Sequence, residues 1–370
     1  MKKLKIYWSH PKIRDYRMPL FQMMAKDYNV KFLLNVENPE FDGYFNVSYL
    51  CGKSRFIVIN FRDLFLLAKG IRSSDVFITS FLTSNISFWG ILIAKALNKR
   101  IIVWEERWLL NAFSAKKKIK LYVAKIISQL VDSFYVMGDV QKTALTRMGV
   151  KSNKIFVANE YTGIDYSKIN QKQVDYLSPN KKNILFIGRF VDFKGIEYII
   201  DAFHIIENEY KSNDFVVNII GFGPLENNLK EKVQRLRLQC VKFHPPVFDV
   251  EEKSYIYYNS HIAIISSIVD DNGNTEGGPI ITLEYLSAGL PIIGTTAMGS
   301  VTSFLHKYKI GILINEKSAR EIADALIQLD KLISSRAISK ESVRNEFTKV
   351  PGFSFQYEVL NNALLNVIRF

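Results

Sequence analysis

Short runs rich in β-branched and aromatic residues alternate with longer stretches of helical periodicity along the whole chain. Apolar strands of this kind need helices on both faces, so the alternation predicts an α/β protein with parallel, doubly wound sheets. The first series reads LKIYWS, MPLFQMMAKDY and VKFLLNV, then RIIVWEE, KKIKLYVAKIISQLV and SFYVMG. A polar stretch at 165–182 (DYSKINQKQVDYLSPNKK) interrupts it, and ILFIGRF opens a second series. The break is read as an interdomain linker. The expected domains are 1–175 and 176–352, both Rossmann-like, because 370 residues exceed one ordinary core. Two such sheets facing each other would hold ligands in the crevice beyond the carboxyl ends of their strands.

Charge divides along the same line. Residues 1–180 carry 28 Lys+Arg against 14 Asp+Glu, whereas residues 181–370 carry 21 against 22. One basic domain beside a neutral one points to an anionic partner such as a membrane, a phosphate-bearing substrate or nucleic acid. The densest basic segment, 114–134, combines Lys116, Lys117, Lys118, Lys120 and Lys125 with Ile119, Val123, Ile126, Ile127 and Leu130. A helix of that composition can lie on an anionic membrane, or its stripe can pack on the first sheet. Cys51 and Cys240 are too few for a disulfide framework or a thiolate metal site, which fits a reducing compartment. No run reaches the roughly 18 apolar residues of a spanning helix, and the start lacks an apolar signal core, so a cytoplasmic protein is expected.

Chemistry concentrates in the second series. GRFVDFKG, from Gly188 to Gly195, ends a buried strand in a Gly turn flanked by Arg189 and Lys194, and a helix follows. Glycine lets backbone approach a ligand, and the helix start with two cations would complete an anion site. In TEGGPIITLEYLSAGLPII, Pro279 and Gly289 bracket a helix. Glu276 lies in the loop before it and Glu284 about 7.5 Å along it, leaning back toward the same space. Two carboxylates then face one cleft at different depths, although Glu276 taken alone could be a helix cap.

In this order and spacing, GRFVDFKG, GFGPLE (Gly221 to Glu226), EGGP and LEYLSAGLPIIG resemble the retaining GT-B glycosyltransferases of the E-x7-E type (group 1, family 4-like), with Glu276 and Glu284 as the pair. The resemblance implies two facing Rossmann-like domains with a terminal helix, 353–370, crossing back onto the first. It implies a nucleotide diphosphate sugar, UDP- or GDP-linked, as co-substrate and no cofactor or metal. Arg189 and Lys194 would bind the diphosphate. Glu284 would accept from the ribose, while Glu276 with the amides of Gly277 and Gly278 would hold the hexose. Backbone around Val247 would read the base, with Gly221 and Gly223 keeping that pocket open. A hexose or N-acetylhexosamine would pass to a saccharide or lipid-linked acceptor at the inner membrane face. A catalytically silent nucleotide-binding subunit, or an isomerase or phosphorylase on the same fold, is the alternative.

The first half departs from that family. HPKIRDYRMPLF lacks a Gly-Gly loop after the first strand, leaving Arg14 and Arg17 to meet a phosphate or to form surface ion pairs. After RIIVW, where many relatives place a histidine, this chain has Glu105 and Glu106, expected to help bind or deprotonate the acceptor. Asp270 and Asp271 form no D-x-D and read as loop residues. GFGPLE lacks the third glycine of a dinucleotide fingerprint. The scattered histidines show no zinc spacing. No nucleic acid partner is expected.

Overall fold

The computed structural model describes residues 3–37, 41, 43–50, 59–107, 115–299, 302–308 and 310–368. Cys51 therefore lies outside the described residues, as do Ser114 at the start of the predicted basic helix and the side chains of Lys116 and Lys117 within it. The chain divides into two compact units, Met1–Gly163 with Pro351–Phe370, and Ile164–Val350.

The first unit contains β1 (Lys5–His10), α1 (Met18–Asp27), β2 (Asn29–Leu34), β3 (Asn46–Tyr49), α2 (Phe61–Arg72), β4 (Val76–Ser80), α3 (Asn85–Ala96), β5 (Arg100–Glu105), α4 (Ala115–Ser128), β6 (Ser133–Val136), α5 (Asp139–Arg147) and β7 (Ile155–Val157). Its strands are all parallel in the order β3-β2-β1-β4-β5-β6-β7, so the winding reverses between β1 and β4. Nearly every residue of β1, β4, β5 and β6 is buried, as two-sided helical cover requires. One face packs aromatic rings, among them Trp8, Phe21, Phe32 and Trp104, against α1 and the terminal helix. The other packs Leu67, Ile71, Ile91, Ala94, Ala124 and Ile127 of α2, α3 and α4. Gly70 in α2 is required there, since a Cβ would stand 2.0 Å from the Tyr7 ring.

The second unit contains β8 (Lys182–Arg189), α6 (Ile196–Asn208), β9 (Phe215–Phe222), α7 (Glu226–Arg235), β10 (Val241–His244), α8 (Val250–Asn259), β11 (Ile262–Ile265), α9 (Ile281–Ser287), β12 (Ile292–Thr295), α10 (Thr302–Tyr308), β13 (Gly311–Ile314), α11 (Ala319–Ser334) and α12 (Lys340–Phe347). Its parallel sheet runs β10-β9-β8-β11-β12-β13, reversing between β8 and β11. A final helix, α13 (Phe353–Ile368), returns to the first unit and buries Leu360, Ala363, Leu364 and Val367 there. Gln356 Nε2 donates to the carbonyl of Asn159 at 2.5 Å, and Asn159 Nδ2 donates to that of Pro351 at 2.8 Å.

The boundary between units falls at 163/164, earlier than the 175/176 expected from composition. Residues just past it are polar in sequence yet anchored in the second unit. The Tyr166 amide donates to Ser287 Oγ at 3.2 Å, Ser254 Oγ donates to the Tyr166 carbonyl at 3.1 Å, and the Tyr166 ring packs edge-on against Tyr257 at 4.9 Å. On the other side the boundary lies at Pro351.

Candidate functional site

The loop from β8 to α6 is held by the backbone of its neighbours. Phe190 N donates to Phe222 O at 2.8 Å, which carries the β8–β9 pairing one residue further. A 3-10 turn, Asp192–Lys194, then leads to Gly195 with φ +60°, where a Cβ would stand 2.2 Å from the Ser266 carbonyl oxygen. Ser266 Oγ donates to Lys194 O at 2.7 Å, and Ile268 N donates to Phe193 O at 2.9 Å. The loop is thus fastened to the end of β11, at the point where the winding reverses. Open α/β sheets bind ligands at such points.

This fastening positions Lys194. Its chain passes over Gly188, and its ammonium meets Glu276 Oε1 at 2.5 Å, with both side chains only 14% exposed. Arg189, in contrast, is exposed at the end of β8 with its guanidinium 5.7 Å from the Phe193 ring centroid. Among the described residues no carboxylate pairs with it. The expected anion site therefore has two distinct halves, an ion-paired lysine and an open arginine.

Glu276 is held from a distant part of the sequence. Thr275 Oγ1 donates to Ala297 O at 3.0 Å, and a Cβ at Gly299 (φ +61°) would stand 2.0 Å from Gly277 O and 2.8 Å from Glu276 O. The turn after β12 therefore lies directly under the EGG loop. Sequence reasoning passed over it, and the AMG triplet following a strand was the only signal.

Glu284 lies in α9, which ends as expected with Gly289 at φ +80°. Tyr257 donates its hydroxyl to Glu284 Oε2 at 2.7 Å, and Lys253 Nζ is 3.9 Å from the same oxygen. Burial pushes the Tyr257 phenol well above its usual range, and the negative Glu284 adds to this. The Tyr166 phenol is pushed up by the same two causes. Tyr257 of α8 and Tyr166 of the 3-10 turn Tyr166–Lys168 thus orient this carboxylate, a support the YIYYN stretch did not announce.

Gly221 and Gly223 were expected to keep a base pocket open. A Cβ at Gly221 (φ +147°) would stand 1.9 Å from Gly188 O, and one at Gly223 would stand 2.4 Å from Phe190 O. These glycines let two backbone segments touch. Val247 is half-buried in the loop after β10, Gly278 is half-buried beside Gly277, and Phe248 is exposed. Asp270 accepts from Asn274 N at 2.7 Å and from Asn274 Nδ2 at 2.9 Å, closing its own turn.

In the first unit the charged candidates meet one another. Arg17 is buried, with Nη2 at 2.5 Å from Glu106 Oε1 and 3.9 Å from Glu160 Oε2, and its guanidinium stacks on Trp104 at 4.8 Å. Its ion pair is therefore buried and not the surface pairing that the sequence suggested. Arg14 remains exposed. Glu106, expected to serve the acceptor, is committed to Arg17. Glu105 is buried, with Oε2 accepting from Leu82 N at 2.8 Å and Oε1 from Arg107 N and Nε at 3.1 Å. Those contacts brace the ends of β4 and β5 and engage both carboxylate oxygens of Glu105.

Sequence reasoning missed His10 and Glu160. His10, at the end of β1, is buried with Nε2 3.4 Å from Arg17 Nη1, and burial followed by the Arg17 charge lowers its pKa to about 3. Burial pushes Glu160 up to about 8, opposed by Arg17 and aided by Glu106. Folded protein then keeps the Glu160 proton between 4.5 and about 8 while unfolded chain has lost it. Folding takes up a proton in that window, so this group's contribution to stability falls as pH rises through it. Glu160→Gln is expected to flatten the decline of the urea midpoint over this window. Parallel curves for variant and wild type would refute the assignment.

The predicted basic helix forms as α4, but its apolar residues divide. Ala124 and Ile127 face the sheet, whereas Ile119, Tyr122 and Ile126 are exposed alongside Lys118 and Lys125. Lys120 is half-buried. Among the described residues no helix is long and apolar enough to cross a membrane.

Comparison with known proteins places this geometry in context. Residues 167–345, nearly all of the second unit, match the family described as glycosyl transferases group 1. The chain is 25% identical over 231 residues to an uncharacterized glycosyltransferase of Haemophilus influenzae, covering 62% of this chain and 60% of that protein. It is 30% identical over 188 residues to the amylovoran biosynthesis glycosyltransferase AmsK of Erwinia amylovora, covering 50% of this chain and 44% of that one. The matches thus span about half the length of these relatives. The crystal structure of Anabaena HepE in complex with UDP superposes with a TM-score of 0.73 at 13% identity, over 98% of this chain and all of that one. Two Rossmann-like units with a returning terminal helix, together with this likeness, show the GT-B fold. The family match and the relatives named glycosyltransferases support a group 1 glycosyltransferase.

Proposed function

We propose that the chain is a group 1 glycosyltransferase that moves a hexose or N-acetylhexosamine from a UDP- or GDP-linked sugar to a lipid-linked or polysaccharide acceptor, with retention at the anomeric carbon. The observation that carries this reading is the Lys194–Glu276 pair at the carboxyl end of β8, with Arg189 open beside it and Glu284 oriented by tyrosines. The amylovoran biosynthesis named for the Erwinia amylovora relative and the UDP bound by the Anabaena protein favour the same donor and product classes.

In this reaction the bond from anomeric carbon to diphosphate oxygen breaks and its electron pair stays on the diphosphate. The acceptor hydroxyl oxygen bonds that carbon on the face the diphosphate leaves, and its proton passes to the departing phosphate oxygen. Charge grows on the diphosphate as the bond lengthens, so Arg189 and Lys194 would stabilise the transition state more than the ground state. That is the task a metal ion performs elsewhere, and these two cations would take it here. Glu276, released from Lys194 by the incoming diphosphate, would hold sugar hydroxyls and face the positive anomeric centre. Glu284 would accept from the ribose. The excess charge of the first half supports action at the inner face of a membrane.

A panel of UDP- and GDP-sugars tested by thermal shift addresses the reading directly, because a bound donor stabilises by mass action. One donor class is expected to raise Tm, and free nucleoside diphosphate is expected to appear only when saccharide acceptor is added. No shift with any donor, or release that needs inorganic phosphate instead, would overturn it.

A further inference from the structure

The helices on one face of the first sheet form a surface that neither the fold nor the donor chemistry explains. α2, α3 and α4 lie side by side on it, with α3 touching both neighbours. Together their sequences carry nine Lys and Arg and a single carboxylate, Asp63. Asp63 is 1% exposed and accepts from Asn60 Nδ2 at 2.7 Å, so it offers nothing to the surface. The helices on the opposite face, α1 and α13, carry Lys26, Asp27 and Glu358 as their only charges. These three helices thus carry a net +8 of the net +14 of residues 1–180, whereas the two helices opposite are nearly neutral.

The same side exposes large apolar groups. Phe61 and Phe65, one turn apart on α2, are 87% and 61% exposed, while Leu67 and Ile71 of that helix are buried. On α4, Ile119, Tyr122 and Ile126 are 60%, 68% and 53% exposed. Phe88 and Trp89 of α3 are half-exposed between them. A solvated basic face kept for solubility would not display aromatic rings, and apolar groups rimmed by cations mark a contact surface. Rings and aliphatics that can enter an acyl layer, ringed by cations that meet phosphate groups, fit a lipid surface.

We propose that α2, α3 and α4 dock as one plane on an anionic lipid bilayer, with Phe61, Phe65, Tyr122 and Ile126 entering the headgroup layer. This names the partner of the membrane-side action inferred above and rests on that reading. It enlarges the basic segment found in the sequence from one helix to three. Helices of a parallel sheet lie along its strands, so docking through this face leaves the carboxyl ends of the strands, where ligands bind, open at the side.

The test is co-sedimentation of the full chain with vesicles of phosphatidylcholine alone, or with phosphatidylglycerol in equal parts. Wild type is expected to bind only the anionic vesicles and to be released by salt. The Phe61→Ser/Phe65→Ser variant should lose at least about tenfold in partitioning, since two buried rings leave the layer. Each cation removed by Lys118→Gln or Lys125→Gln should weaken binding about fivefold. Equal binding to both vesicles, or an α2 variant that binds like wild type, would overturn the three-helix plane. So would self-association through this face, seen as a dimer that Phe61→Ser/Phe65→Ser dissolves, or retention on single-stranded DNA at equal salt. Thermal shift with nucleotide sugars, unchanged in these variants, separates this proposal from the donor site. Vesicle binding without any donor shift would leave the docking surface standing and sink the transferase.

Discussion

Lys194→Ala is expected to lower kcat by about 10²- to 10³-fold, equivalent to about 2.7–4 kcal/mol, the loss seen when one preorganised donor to a developing charge is removed. The side chain is held by three independent constraints: Gly195 at the loop end, Ser266 on the loop carbonyl and Glu276 on the ammonium. Such a group arrives already oriented for a leaving diphosphate. Its removal also takes the ammonium away from Glu276 at a site only 14% exposed, so the two residues are expected to act as a unit. Glu276→Ala should cost a similar factor, and the double variant should cost clearly less than the sum of the two free energies. Steady-state kinetics on purified variants with unchanged circular dichroism supply the test. Full turnover by either single variant, or strict additivity, would remove the pair from the reaction.

Gly299→Ala should be nearly as damaging although the residue carries no chemistry. A side chain at φ +61° costs about 1–2 kcal/mol by itself. The added Cβ would also lie 2.0 Å from Gly277 O, and that atom is backbone, which cannot swing aside. The EGG loop must shift, and Glu276 shifts with it. A displacement of about 1 Å at a reacting centre can cost about 10²-fold in rate. The expected outcome is a folded protein with a lower urea midpoint, kcat reduced by about that factor, and donor binding weakened less than turnover. Normal kcat in a variant that is merely less stable would show that the turn does not position Glu276.

Much of the second unit was legible in the chain because local rules and ligand chemistry agree there. A buried strand running through Gly188 to Arg189, a helix ended by Gly289 and two carboxylates eight residues apart are short-range features. Tyr166 and Tyr257 around Glu284, and Gly299 beneath Gly277, were not legible, because contacts between distant segments leave no period in a sequence. The first unit shows the same limit more sharply. Arg17, Glu105 and Glu106 looked like polar groups available to ligands, and burial turned them into an internal ion pair and a turn brace. At glycines 221 and 223 two backbone segments come into contact, an approach between β8 and β9 that the local sequence did not announce.

The alternation of strand and helix, the basic first half and the spacing of Arg189, Lys194, Glu276 and Glu284 are properties of the chain itself, set by side-chain period and by charge. Which charges stay open to a partner was decided only by tertiary structure. Burial strips water from a charged group and forces it to find a counter-ion, as Arg17 does with Glu106, while an identical group on an outward helix face, such as Arg62 or Lys125, keeps its charge for a partner outside.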